Sequence, residues 1–234
     1  MGLMLPNELV WLFEKLGYDW PDIDEDDLIS AGTLTRTLHA DLEAIIRTAD
    51  QKISVEVPSS ATGKAALAYT AAWETNRDQN LNQMLDILVP VPTGLDIAGG
   101  VVVGLKGKMI VQLTVDIATM LPLIAAGPLG AAAFIAKKAA SRIIMGVLVD
   151  MAVNKAVEAA TPYVIEPLTN QIPAVIQAIL AAPEVEDTGA EPGELKLDLD
   201  AMEDIQDAMD QCATDIERSV REYMDAIGDL TFTS

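Results

Sequence analysis

Few residues in this chain could carry out chemistry. Nucleophilic catalysis needs a base beside its nucleophile, and the 234 residues include one histidine, His39, and one cysteine, Cys212. His39 falls between Leu38 and Leu42 in a helical pattern, which is a boundary position and not the place of a general base. Cys212 falls on an apolar stripe, where a thiol serves as a small hydrophobe, and one cysteine excludes an intrachain disulfide. A Cys/His metal site cannot be assembled from one of each. The acids Asp22, Asp24, Glu25, Asp26 and Asp27 lack the glycine and the twelfth-position Glu of a calcium loop, so we read them as helix caps and solvated charge. The glycines of AGGVVVGLKGK have neither P-loop spacing nor a preceding strand. Lys137, Lys138 and Arg142 form the basic cluster of the sequence, either a solvated helix face or a face that meets the acidic terminal helix of this chain or of a partner. No catalytic residue, cofactor or metal is expected, and the chain is read as non-enzymatic.

Composition bounds the alternatives. Half of the residues are hydrophobic while aromatics make up only 4%, a mix of Ala, Leu, Ile, Val and Met that fills helix interfaces better than β-sandwiches. The net charge of -21 argues against nucleic acid, because phosphate binding needs clustered Lys and Arg. The charge is unevenly placed. Residues 1–60 carry 12 acids and 4 bases, residues 61–183 carry 8 of each, and residues 184–234 carry 16 acids and 3 bases. A neutral apolar middle therefore lies between two acidic ends, which implies either solvated helices around a concealed centre or a centre awaiting a partner. The first 20 residues lack the basic start and unbroken apolar run of a Sec signal.

The spacing predicts an all-α chain. Leu9, Leu12, Phe13 and Leu16 recur at helical intervals after a candidate cap, Asn7, and Gly17 ends that short helix. Asp24 or a neighbouring acid caps a second helix whose apolar face runs through Leu34, Leu38, Leu42, Ile45, Ile46, Ala49 and Ile53. The run VPSSATGKAAL breaks the pattern, and another helix follows through Ala66, Tyr69, Trp73, Leu81, Leu85 and Leu88 until VPVPTG. Two helices and a short glycine-containing turn make an αα-hairpin. From 93 to 183 the chain is apolar, and Gly99-Gly100, Pro122, Gly127-Pro128, Pro162, Pro167 and Pro173 are expected to cut it into helices of ordinary length. Residues 117–136 are uncharged and long enough to span a membrane, but two prolines, two glycines and many alanines favour a buried hairpin turning at AAGPLG. Residues 184–198 read as an acidic linker. Met202, Ile205, Met209, Cys212, Ile216, Val220, Tyr223, Ile227 and Leu230 then step by three or four along an otherwise acidic helix. This stripe either folds back on the core or forms a seam for another chain. Two short runs, VVVGL and KISVEV, are the strongest strand candidates, and the second extends an apolar helical face. The expected architecture is an elongated multi-helix bundle, divided into a hairpin with a short N-terminal helix (1–92), an apolar helical region (93–183), the linker (184–198) and an amphipathic acidic helix (199–234).

The ordered set Leu16, Gly17, Tyr18, Trp20 and Pro21, then Asp24, Glu25 and Asp26, then Gly63, Ala65, Ala66, Tyr69 and Trp73 resembles the N-terminal WXG-like domain of long actinobacterial type VII secretion substrates. It is the domain that precedes the toxin in the mycobacterial outer-membrane channel and necrotizing-toxin protein. Where the family has its turn tryptophan this chain has Ala61, so the turn reads Ala-Thr-Gly. The resemblance covers the first 90 residues and the apolar middle by character. It implies export through a type VII system to the cell surface or medium from a cytoplasmic precursor. It also implies association with small Esx-like helical hairpins and the secretion machinery, and delivery of a toxin. A homo-oligomer and a conditional membrane contact are the other partnerships it permits, and a pore-forming or channel role is the alternative function. The export signal Tyr-x-x-x-Asp/Glu occurs at Tyr18 and Asp22, ahead of the hairpin and not after it, so a partner is expected to supply the signal. No toxin domain is expected within residues 199–234.

Overall fold

The computed structural model describes residues 13, 16–18, 20–21, 23–125, 128–180 and 196–232. Among these the chain is helical apart from turns and one two-residue antiparallel pairing, as the composition demands. The candidate cap Asn7, the linker residues up to 195 and Asp22 lie outside the described residues. The helices are α1 (Glu25–Gln51), α2 (Val57–Ser60), α3 (Lys64–Asn76), α4 (Asn82–Leu88), α5 (Val91–Ala125), α6 (Pro128–Ala160), α7 (Ile165–Leu180) and α8 (Leu199–Gly228), with strands β1 (Ala61–Thr62) and β2 (Lys196–Leu197). They fall into two compact units, both discontinuous in sequence. The first takes residues 1–32, 93–163 and 230–234, the second residues 33–92 and 164–229.

In the first unit Gly17 ends the N-terminal turn as expected. Its φ is +73°, the Tyr18 N–H reaches back to the Phe13 carbonyl at 2.9 Å, and the Phe13 and Tyr18 rings meet edge to face at 5.8 Å. This six-to-one bond with its hydrophobic contact is the Schellman arrangement, which only a residue tolerant of positive φ completes without strain. Asp24 then caps α1, its Oδ1 accepting from the Asp26 and Asp27 N–H groups at 2.9 and 3.3 Å.

The breakers do not cut the middle of the chain as predicted. α5 runs unbroken for 35 residues through Gly99-Gly100 and Pro122, and Pro167 and Pro173 both lie inside α7. At Gly99 a Cβ would stand 3.2 Å from the Glu25 carbonyl oxygen and from the Ile29 side chain. This glycine marks the close approach of α1 to α5, not the end of a helix. Burial along α5 recurs at Ala98, Val102, Leu105, Met109, Leu113 and Met120, a continuous face whose packing outweighs the roughly 1 kcal/mol propensity cost of each glycine. The break expected at Pro162 is present, in the turn at 161–164, whereas Gly127 lies outside the described residues.

The second unit contains the expected hairpin. α1 passes through a π-helical segment, Lys52–Glu56, into α2; the chain turns at residues 61–63 and returns as α3, a second π segment, Arg77–Leu81, and α4. Pro58 lacks the N–H that would bond the Ser54 carbonyl, and its ring crowds that carbonyl, so the helix widens just ahead of it. The widening keeps both Ile53 and Val57 in the core. Gly63, with φ 121° and ψ 175°, turns the chain in a region other residues avoid. VPVPTG is only a two-residue bend, because Pro92 fits the first turn of α5. Ala61 and Thr62 pair with Leu197 and Lys196, a contact the helical periodicity could not announce. α8 is capped by the Asp198 carboxylate on the Ala201 N–H at 3.1 Å, packs on the Lys52–Glu56 segment and α2, and stops at Gly228. Leu230 is therefore not part of its stripe.

Candidate functional site

Three polar hubs position the sequence-predicted motif residues, two in the first unit and one in the second. In the first unit the motif segment lies on α5. Phe13, Leu16 and Tyr18 are buried with Leu105, Met109, Leu113 and Met145, and Trp20 packs against them. Beneath Trp20 runs a buried ion pair: Lys106, fully buried, donates to Glu25 Oε2 at 2.6 Å and to the Ile23 carbonyl at 2.7 Å. Its Nζ stands 5.7 Å from the Trp20 ring centre. Further along α5, Asp116 is likewise wholly buried. Its carboxylate accepts from Tyr18 Oη at 2.9 Å, Ser141 Oγ at 2.8 Å and Gln112 Nε2 at 3.0 Å, and pairs with Lys137 at 3.2 Å. Burial opposes its ionisation, but the donors from Ser141, Tyr18, Lys137 and Gln112 outweigh it and hold the carboxyl below the ordinary range. Burial, followed by the neighbouring Asp116, pushes the Tyr18 phenol up to about 12, although its Ser141 hydrogen bond works the other way.

Tyr18 is thus buried in the core of this unit and bonded to Asp116, while Asp22, the other half of the Tyr-x-x-x-Asp spacing, lies outside the described residues. Lys137 engages Asp116, and the Arg142 side chain lies against Gly17. The acidic run is more than caps and solvation: Glu25 is the buried partner of Lys106. Asp27 Oδ2 receives the N–H groups of Thr231 and Phe232, both at 3.1 Å, which ties the end of the described chain to the start of α1.

In the second unit the hub is Asp50. Its Oδ1 accepts from Trp73 Nε1 at 3.0 Å and Ser54 Oγ at 2.9 Å, and it pairs with Arg77, whose Nε also bonds Asp78 at 2.8 Å. Burial again opposes ionisation, and the Trp73, Arg77 and Ser54 bonds prevail and lower the Asp50 pKa. Trp73 and Ala66 pack on the Ile53, Val57 and Ile205 cluster, so Trp73 clamps the hairpin legs together, whereas Tyr69 stays exposed on α3. Ala61, in the place of the turn tryptophan, is buried beside β2. Of the seven residues offered as a seam, Ile205 is buried and Met202 and Met209 pack on the same cluster. Ile216 and Ile227 are half-buried, as is Tyr223, whose hydroxyl meets Thr35 Oγ1 at 3.2 Å, and Val220 is exposed. The stripe folds back onto its own unit. Cys212 is buried in it, and desolvation followed by the Asp215 charge raises its pKa.

What remains open is an apolar surface on the first unit. Val103, Val111 and Val115 on α5 and Ile135, Ile143, Ile144, Val147 and Met151 on α6 are exposed, Val111 at 64% and Ile143 at 69%. Gly100, Gly104 and Gly107 leave the same part of α5 open to close approach. Among the described residues, Ala66–Met120 includes a helical window with mean hydropathy 1.7, long and apolar enough to cross a membrane by composition alone, and no cluster of His, Cys, Asp or Glu suits a metal ion.

Sequence reasoning missed Lys106, Asp116, Asp50, Arg77 and Ser141. A signal existed for two of them: Lys106 and Asp116 are charges set in the apolar register of α5, beside Leu105 and three residues past Leu113, where a charge survives only if paired.

The WXG100-like domain family model matches residues 4–147, reaching well beyond the hairpin on which the sequence resemblance rested and taking in α5 and much of α6. It identifies the family without singling out the mycobacterial channel protein. No curated protein and no solved structure matches the chain. With more than half of its length inside that match and a helical hairpin turning at residues 61–63, the chain belongs to the WXG100-like domain family.

Proposed function

We propose that the protein is a type VII secretion substrate or delivery module that works by packing helices against small Esx-like hairpin partners, is exported with them, and performs no catalysis itself. Family membership relates the chain to type VII secretion and to helical-hairpin association. The observation that carries the finer reading is the exposed apolar face of α5 and α6, which lies largely inside the family match. Exposed apolar side chains in such number on a helix mark an interaction site, and the open glycines let a partner helix approach closely. Coexpression with the small helical-hairpin protein encoded beside it should give a defined hetero-oligomer by light scattering, lost on Val111→Glu with Ile143→Glu. A monodisperse monomer indifferent to that neighbour would overturn the proposal.

A channel role is the second reading, favoured by the apolar window within Ala66–Met120. It predicts leakage from liposomes that falls when residues 117–136 are deleted, and equal leakage from both proteins would remove it. The buried pairs of Lys106 and Asp116 weigh against it, since insertion would have to break them or carry them into lipid.

A further inference from the structure

A different surface, in the second unit, carries an inference that does not depend on the reading above. Between α3 and α8 lies an open groove of about 690 Å³, within the range of roughly 300–1,000 Å³ typical of ligand sites. Tyr69 of α3 forms one apolar wall, and Leu199, Met202 and Met209 form the other, at positions that fall on one face of α8. Leu199 is 70% and Tyr69 40% exposed. Met202 and Met209 rest against the core cluster on one side and line the groove on the other. Methionine is unbranched and polarisable, so a Met-lined surface can reshape around an incoming side chain.

Charge decides what that side chain belongs to. Glu203, Asp207 and Asp210 stand in the groove lining, all exposed, and among the described residues no basic side chain lines it. Among the described residues none of the three takes part in an ion pair, unlike Asp215 and Glu222 further along α8, which pair with Arg218. An anionic surface, a nucleic acid or an acidic hairpin would be repelled. A second copy, at net charge -21, is disfavoured for the same reason. We infer that this groove docks a cationic amphipathic helix of a partner protein, with apolar anchors entering between Tyr69, Met202 and Met209 and Lys or Arg side chains facing Glu203, Asp207 and Asp210. Apolar anchors at helical spacing give such a contact its affinity, and the carboxylates give it orientation and a fast encounter.

The test uses the full chain and two synthetic 18-residue helical peptides with the same leucine pattern, one with lysine and one with glutamate at every other position. Binding is followed by fluorescence anisotropy, and the contact is located by the NMR signals of the methionine methyl groups. The lysine peptide should bind and shift Met202 and Met209 selectively, and the glutamate peptide should not. Glu203→Lys with Asp207→Lys should weaken binding by about tenfold or more, equivalent to 1.4 kcal/mol, as should Tyr69→Ala with Leu199→Ala. Glu217→Lys with Asp225→Lys, the same charge change outside the groove, should have a clearly smaller effect. An equal loss from that control pair, or methyl shifts elsewhere, would reduce the binding to general attraction for an acidic protein and overturn the inference. Self-association abolished by Leu199→Glu would assign the groove to a second copy and overturn it equally.

Discussion

Replacing Asp116 with Asn tests whether a buried carboxylate holds the motif segment to α5 and α6. The substitution preserves shape but leaves one acceptor oxygen where there were two. If the amide oxygen keeps the Ser141, Gln112 and Lys137 side, the amide nitrogen faces Tyr18 Oη, 2.9 Å from the present Oδ2. The buried phenol proton then loses its acceptor, at about 1–3 kcal/mol, and the remaining bonds lose their ionic assistance, at about 1 kcal/mol more. The expected destabilisation of the first unit is therefore about 2–4 kcal/mol at pH 7. Urea unfolding followed by tryptophan fluorescence in a Trp73→Phe background reads this unit through Trp20, which packs against its core cluster. The pH dependence has a definite sign. Asp116 is depressed in the folded state, so its stabilisation is fully present above the unfolded carboxyl value near ~3.9 and is lost as pH falls through the lower folded value. The gap between wild type and Asp116→Asn should be flat from pH 5 to 8 and should narrow below about pH 4. Equal urea midpoints at pH 7, or a gap unchanged at pH 2.5, would refute the role assigned to the charge.

Lys106→Met removes the buried counter-charge of Glu25 and should cost about 3–5 kcal/mol in urea unfolding, whereas Glu25→Gln with Lys106→Met should recover most of it; equal losses would mean that packing, not charge, was removed. Gly63→Ala forces a Cβ into φ 121° and should lower hairpin stability by about 1–3 kcal/mol, seen as an earlier thermal transition in far-UV circular dichroism. Trp73→Phe keeps the ring contact but loses the bond to Asp50, at about 1–2 kcal/mol, measured as a shift in the second unit's urea midpoint. Cys212, buried and with a raised pKa, should react with a disulfide reagent far more slowly in the native protein than in urea; similar rates would show that α8 is open.

The sequence by itself determined the helical class, the hairpin turn at Gly63, the glycine stop at Gly17, the Asp24 cap and the apolar face of α8. Each is a local matter, since periodicity, φ preference and capping hydrogen bonds act within a few residues. The family resemblance was also legible over the first 90 residues, because its motif residues sit at such local features. Only the tertiary structure decided that Gly99-Gly100 and Pro122 would not break α5, since the face from Ala98 to Met120 gains its burial from segments far away in the chain. Nor could the chain order reveal that Glu25 answers Lys106, that Tyr18 answers Asp116, or that the Ala61 backbone would pair with Leu197. These partners stand 81, 98 and 136 positions apart. Desolvation sets the terms here: a charge inside an apolar register must find a counter-charge or a donor, and only the folded chain decides which of many acids and bases supplies it.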